Sequence, residues 1–363
     1  MKTFTKYLFK EFFLYSFSFF CVFSFLITLI KGVFFLEKIV ELNLSLWDTF
    51  KVFIFIFLEF FPYILPLASL LGILFAIQRI KEDHELLGFL SLGFSFMDFL
   101  KISLLFSLFI YFITFFSTFY LLPFAKREKK LTKLGFLRKK IEQPFPSKQF
   151  ISLGKHQFIY AEKALFKKNY NKLAGILLIE RKSKKKGILI AGKGEISFSR
   201  NNLFLENGWG FFLNSGKKVE ILHFKKYFMK LNLKKYTKPS FSRGELSFSQ
   251  LKEKIKKLSP GTRTYCKYLS EYYQRFLYPF SAILLILQGF ILGYYFKFAY
   301  KSLLFFTGIS FYLLFYILYD FFLSLGENCK ISPLYSFLLF FSVFSLFTFM
   351  EYLLLKKYKT GWL

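Results

Sequence analysis

The chain has 363 residues, is 55% hydrophobic with 59 Phe, and carries a formal charge of +30. A soluble domain is about half apolar but without long uninterrupted apolar runs; here the apolar residues are clustered, which excludes a single water-soluble globule. The cysteines, Cys21, Cys266 and Cys329, are too scattered for a metal cluster.

A hydrocarbon core about 30 Å thick needs roughly 20 apolar residues at 1.5 Å rise per residue. Windows at 11–36, 50–78, 97–122, 276–296, 302–325 and 333–355 meet that need, and all lie outside 124–270. The expected fold class is therefore membrane α + β: six transmembrane helices, three on each side of an inserted strand-rich domain. The run from Phe12 to Ile30 exceeds the h-region of a signal peptide, and no A-x-A-like site follows it, so it reads as a retained first helix.

Ionisable residues inside spans are costly and mark pairs or polar cavities. Lys31 in helix 1, Glu59 in helix 2 and Asp320 in helix 5 qualify, with Gln288 as a neutral case. By depth, the three ionisable residues all belong to the outer part of the bundle. Snorkelling or a structural ion pair is one reading, contact with a polar ligand the other. Pro62, Pro66 and Pro279 are candidate bends. Between helices 2 and 3, residues 78–95 are first charged and then amphipathic, which suggests a short surface helix over about 80–96. Its carboxylates Glu82, Asp83 and Glu85 could meet a basic patch on a cytoplasmic partner; a plain connecting helix is the alternative.

From Gln149 the pattern alternates. Short strands are expected at 150–153, 158–161, 176–180, 188–191, 195–199, 203–205, 211–213 and 220–233, with turns at 168–171, 199–202, 206–208 and 214–216. Many short strands at such spacing suggest a sandwich or jelly roll. A capped helix follows at 247–258. The segment from Gly187 to Gly194 mimics a phosphate-binding loop, but position 194 is Gly where Ser or Thr must hold Mg²⁺, and a strand follows. Cys266 and Cys329 allow a disulfide without requiring one, and unpaired cysteines are the simpler reading. Glu271 and Arg275, four apart at the start of helix 4, suggest an ion pair.

Residues 124–270 hold 36 Lys and Arg against 9 Asp and Glu, hence +27 of the total charge. An anionic partner would explain this, as would a Lys-rich background. Orientation follows the short loops. Lys2, Lys6, Lys10, Arg79, Lys81, Lys101, Lys297, Lys301, Lys356, Lys357 and Lys359 fall on one side, against Lys38, Lys51 and Lys330 on the other. Both termini are thus expected in the cytoplasm and the basic domain outside, which argues against nucleic acid.

Arg79, Asp83, Glu85, Leu86, Gly93 and Ser95 resemble the R-x-x-x-D-x-E-L…G-x-S pattern of the lipopolysaccharide-export permeases, the LptF/LptG family. Ile64-Leu-Pro-Leu-Ala68, Glu271…Arg275…Pro279, Gly308-Ile-Ser-Phe…Tyr316…Asp320 and Gly326…Ile331-Ser-Pro333 resemble other parts of it in the same order. The resemblance implies transmembrane segments 1–123 and 271–363 around a periplasmic β-jelly-roll domain at 124–270, all in the bacterial inner membrane. It implies a permease without enzymatic activity or cofactor, serving an ATP-driven exporter that extracts lipopolysaccharide and passes it to a periplasmic bridge. The implied partners are a cytoplasmic ATPase dimer (LptB-like), a sibling permease (LptF-like) and periplasmic jelly-roll proteins (LptC/LptA-like). Arg79, Asp83, Glu85 and Leu86 would couple to the ATPase, and Lys31, Glu59 and Asp320 would face lipid. Leu29-Ile-Lys31 and Gly308-Ile-Ser310 lean towards the LptG branch. An envelope-lipid enzyme would need a converging nucleophile or metal set; His156 and His223 have no ligand spacing. A sensor or scaffold would survive loss of Glu85.

Overall fold

A computed structural model describes residues 2–42, 46–142, 147–154, 157–167, 170–182, 185–197, 202–214, 219–230, 241–296 and 300–358. The chain divides into two compact units, residues 1–129 with 241–363, and residues 130–240.

The first unit is helical. Its elements are α1 (Lys2–Leu42), α2 (Leu46–Glu82), α3 (Glu85–Ser91), α4 (Phe96–Phe116), a π turn (Ser117–Leu121), α5 (Leu122–Glu142, running on into the second unit), a 3-10 turn (Arg243–Glu245), α6 (Phe248–Lys256), α7 (Arg263–Leu277), α8 (Phe280–Tyr295), α9 (Lys301–Glu327) and α10 (Pro333–Tyr358). Among the described residues, five helices are long and apolar enough to cross a membrane; α7 and α8, bent by 50° at their break, supply a sixth crossing when counted as one span. The break falls at Pro279, which has no amide proton to continue the helical ladder. By contrast, Pro62 and Pro66 lie within an uninterrupted α2.

Helix α2 is the core helix, with Ile64, Ala68, Leu70, Leu71, Ile73 and Leu74 almost fully buried. Small residues let its neighbours approach, as is usual for packing inside membranes. A Cβ on Gly72 would lie 2.5 Å from the Ser16 amide nitrogen of α1, and one on Gly289 of α8 would lie 2.7 Å from the Leu70 carbonyl oxygen. The abundance of Phe has a packing role here. Phe315, Tyr319, Phe340 and Phe344 interlock α9 with α10, the rings of Phe315 and Phe344 meeting edge to face at 5.0 Å.

The second unit carries one antiparallel sheet of β1 (Phe150–Gly154), β2 (Gln157–Lys167), β3 (Tyr170–Lys182), β4 (Lys185–Ser197), β5 (Asn202–Asn214) and β6 (Val219–Lys230), in sequential order. The inserted β domain is thus present as an uninterrupted meander; the Greek-key crossings of a two-sheet jelly roll are not seen among the described residues. Pairs of expected short strands merge. Residues 188–191 and 195–199 belong largely to β4, and 203–205 and 211–213 both lie in β5, so the expected turn at 206–208 is instead an irregularity inside a strand.

That irregularity is one of a series. The register steps over the positions between Ala161 and Lys163, Ala174 and Ile176, Ala191 and Lys193, Glu206 and Gly208, and Phe224 and Lys226. Gly175 and Asn207 there have φ of 63° and 50°, a backbone that favours Gly and tolerates Asn. The buried side changes phase across this line. In β3 the buried residues are Asn171 and Leu173, then Ile176 and Leu178; in β4, Leu189 and Ala191, then Gly194 and Ile196; in β5, Leu203 and Leu205, then Gly208 and Gly210. The sheet therefore bends, and both arms feed one core that includes Ile159, Leu178, Ile196, Leu203 and Leu205.

The outer faces of the arms differ. On one arm, register aligns Tyr160, Leu177, Ile190, Trp209 and His223 in a row, with Phe158, Ile179, Ile188, Phe211 and Ile221 in the next. On the other, the row nearest the bend is Lys163, Ala174, Lys193, Glu206 and Lys226.

Candidate functional site

The loop between α2 and α4 brings its charged residues together. Helix α2 continues through Glu82, so the expected helix over about 80–96 is in fact the end of α2, a tight turn and the seven-residue α3. His84 makes the turn with φ of 58°. Arg79, on the last turn of α2, holds three carboxylates. Its Nη1 donates to Glu11 of α1 at 2.6 Å, its Nε donates to Asp83 at 3.0 Å, and its Nη2 lies 4.0 Å from Glu85. The Tyr7 hydroxyl of α1 donates to the other Glu85 oxygen at 2.5 Å. Leu86 packs onto the apolar core, and Phe89 and Phe94 meet Phe4 of α1, the latter stacked at 3.9 Å. Nearby, Lys301 at the start of α9 lies 3.4 Å from Glu82.

This cluster is half-exposed: Arg79, Asp83 and Glu85 keep 38, 48 and 30% of their side-chain surface open. Such pairs contribute little to stability, since water screens them. Their chemical use is orientation: Tyr7 and Arg79 hold the Glu85 carboxylate while leaving part of it available to a cationic partner. Three of the four residues expected here are tied directly by charge, and Leu86 anchors the short helix beside them. Tyr7 and Glu11 were not anticipated from the sequence. The available signal was Glu11, the single acidic residue between Met1 and Leu36.

The outer polar residues do not converge. Glu59 pairs with Lys129 of α5. The Lys31 ammonium lies 5.6 Å from the centre of the Phe60 ring. Asp320 is exposed on α9 and makes no hydrogen bond or ion pair among the described residues. Gln288 donates to Glu351 of α10.

A second charged centre lies between α7, α9 and the 3-10 turn. Arg275 is 1% exposed, donates to the carbonyl oxygens of Leu246 and Arg243, and meets Glu271 at 3.5 Å, so the ion pair expected from the spacing is formed. Arg243 reaches Glu327 of α9 at 2.5 Å and lies 4.0 Å from Glu271. Thr118 of the π turn donates to the Arg275 carbonyl at 3.2 Å. Beside this centre, Cys266 and Cys329 form a disulfide with Cα atoms 5.7 Å apart, which overturns the expectation of unpaired thiols. A spacing of that size suits a disulfide bridge.

No group of three or more metal-ligating side chains occurs among the described residues. His156 lies outside them, and the His223 ring lies tilted against Trp209 with centroids 4.5 Å apart. The segment from Gly187 to Gly194 lies wholly within strand β4.

The family model described as lipopolysaccharide export system permease LptF/LptG matches residues 6–356, nearly the whole chain. The match does not separate the two branches of its name. No curated protein matches the chain.

Proposed function

The chain belongs to the LptF/LptG family of lipopolysaccharide export permeases, and from that premise we propose that it couples ATP hydrolysis by a separate cytoplasmic ATPase to extraction of lipopolysaccharide. The family is a transporter permease, and its apolar helices make the chain a multi-pass inner-membrane protein. The finer reading is that it pairs with a sibling permease, takes lipid from the membrane and hands it to a periplasmic bridge.

The observation that carries the coupling step is the held carboxylate of Glu85. It sits at the head of α3, oriented by Tyr7 and Arg79, in a loop of its own between two spans. A cationic groove on the ATPase would complete it through charge-assisted hydrogen bonds. Two independent features support the orientation. Lys and Arg of the short loops gather on the side of this cluster. The Cys266–Cys329 disulfide joins the first turn of α7 to the loop after α9, on the opposite side, and a stable disulfide suits an oxidising compartment. Both termini are then cytoplasmic and the β domain periplasmic. Lys31, on the outer half of α1, suits a glycolipid phosphate and keeps the LptG-branch reading.

Energetics require cover for the cargo. Exposing acyl chains costs about 0.8 kcal/mol per CH₂, so a lipid with several chains must stay covered on its route. Mass spectrometry of the complex purified from its own membranes tests the proposal. An ATPase, a second permease and lipopolysaccharide are expected together; the chain purified without an ATPase would overturn it.

A further inference from the structure

We propose that a groove between the first turns of α1 and the first half of α4 holds a resident membrane phospholipid with an acidic headgroup, distinct from the exported cargo. The lipid belongs to the leaflet on the side of the Glu85 loop; calling that leaflet cytoplasmic rests on the export reading. The groove has a volume of about 740 Å³, within the roughly 300–1,000 Å³ of small-molecule sites. Phe9 and Phe13 of α1 and Leu105 and Phe109 of α4 make its apolar surface, and Lys6 and Lys10 line it as well. The Phe9 ring meets Phe106 and Phe109 with centroids 5.3 and 5.7 Å apart, which sets how the two helices lie against each other there. From Lys6 to Phe13 the helix rises about 10 Å, so the groove stays within one half of a hydrocarbon core about 30 Å thick.

The charge selects the occupant. Other cations at this end of the membrane unit are already engaged. Arg79 holds carboxylates, Lys81 donates to the Phe296 carbonyl, Lys301 lies 3.4 Å from Glu82, and Lys101, one turn before Leu105, lies 3.7 Å from Asp98. Lys6 and Lys10, one turn apart, are exposed and make no hydrogen bond or ion pair among the described residues. Glu11, next to Lys10 in sequence, is turned to Arg79. Lysine stems lie along apolar surface while their ammonium groups reach the headgroup layer. A zwitterionic lipid brings these two cations no net charge, and an apolar helix of a partner protein would leave both uncompensated. An acidic phospholipid supplies acyl chain for the Phe and Leu surface and an anion for the lysines. Lys6 and Lys10 share their turns of α1 with Tyr7 and Glu11, so the lipid lies on a neighbouring face of the segment that holds the Glu85 cluster.

The test places a photo-crosslinking residue at Leu105 in the complete complex, in vesicles of equal parts phosphatidylglycerol and phosphatidylcholine that also carry lipopolysaccharide. Each lysine near an anionic surface contributes about fivefold to binding, so the two together should favour phosphatidylglycerol adducts by about 30-fold. Lys6→Gln with Lys10→Gln should bring the ratio close to unity. Lys356→Gln with Lys357→Gln, which removes as much charge from the same side and is equally exposed, should leave it unchanged. A wild-type ratio near unity, no greater loss in the first double variant than in the second, or a main adduct to lipopolysaccharide or to a protein would overturn the proposal. ATP-driven release of lipopolysaccharide separates the two levels. Release with a ratio near unity removes this site alone, whereas a high ratio without release removes the export reading and leaves the lipid site.

Discussion

The inner and outer polar residues of the membrane unit invite comparison, because both were singled out for the same reason and only one set assembles. Arg79, Asp83, Glu85 and Leu86 lie within eight positions of one another, and the end of α2 plus a tight turn is enough to bring them together. Lys31, Glu59 and Asp320 sit on three different helices. Their partners are chosen by packing, and the outcome is a lysine of α5 for Glu59, an aromatic ring for Lys31 and no described partner for Asp320. Short sequence spacing fixes a charged cluster, whereas equal depth in a membrane does not.

The comparison can be broken or sharpened by substitution. The largest effect is expected at the buried centre, outside both sets. Arg275→Met leaves Glu271 and the Leu246 carbonyl without their donor, and should cost about 3–5 kcal/mol; the thermal midpoint of the purified protein checks it. Glu85→Lys reverses charge at the proposed ATPase contact and next to Arg79. Copurified ATPase should fall by at least about 30-fold, the lower end of a 2–5 kcal/mol loss at an interface, while the midpoint hardly moves. Tyr7→Phe removes one hydrogen bond to a carboxylate, worth about 1.5–3 kcal/mol. It should lower lipid release per ATP by about fivefold or more while leaving ATPase association in place; release equal to wild type would make Tyr7 a packing residue only. The smallest effect is expected at the outer set. Asp320→Asn should shift stability by no more than about 0.5 kcal/mol, and Lys31→Gln combined with it should be additive. A non-additive pair would show that these residues meet in some state and would erase the contrast.

The same physics decides how much could be read in advance. The apolar runs gave six crossings because the need for about 20 residues per span is nearly independent of context. The break at Pro279 was legible from the missing amide proton; Pro62 and Pro66 carry the same chemistry but sit in a helix that stays continuous. In the β unit, alternation located the strands but cut them too short. Strands β3, β4 and β5 change their buried phase at the bend, so a period-two pattern appears to stop and restart, and Glu206-Asn-Gly208 looks like a turn when it is a kink inside β5. The disulfide was beyond reach, since the separation of 63 positions from Cys266 to Cys329 says nothing of the 5.7 Å between their Cα atoms. Glu271 and Arg275 were legible as a pair from i,i+4 spacing, but the carbonyls that bury the guanidinium come from residues 29 and 32 positions away.

The central claim is that the Glu85 loop transmits ATP hydrolysis to lipid export. ATP-dependent transfer of lipopolysaccharide from proteoliposomes to a soluble acceptor measures it most directly, comparing the wild-type complex with Glu85→Lys. Transfer by the wild type that requires ATP and is lost in the variant is the expected result. Undiminished ATP-dependent transfer by the variant would contradict the claim.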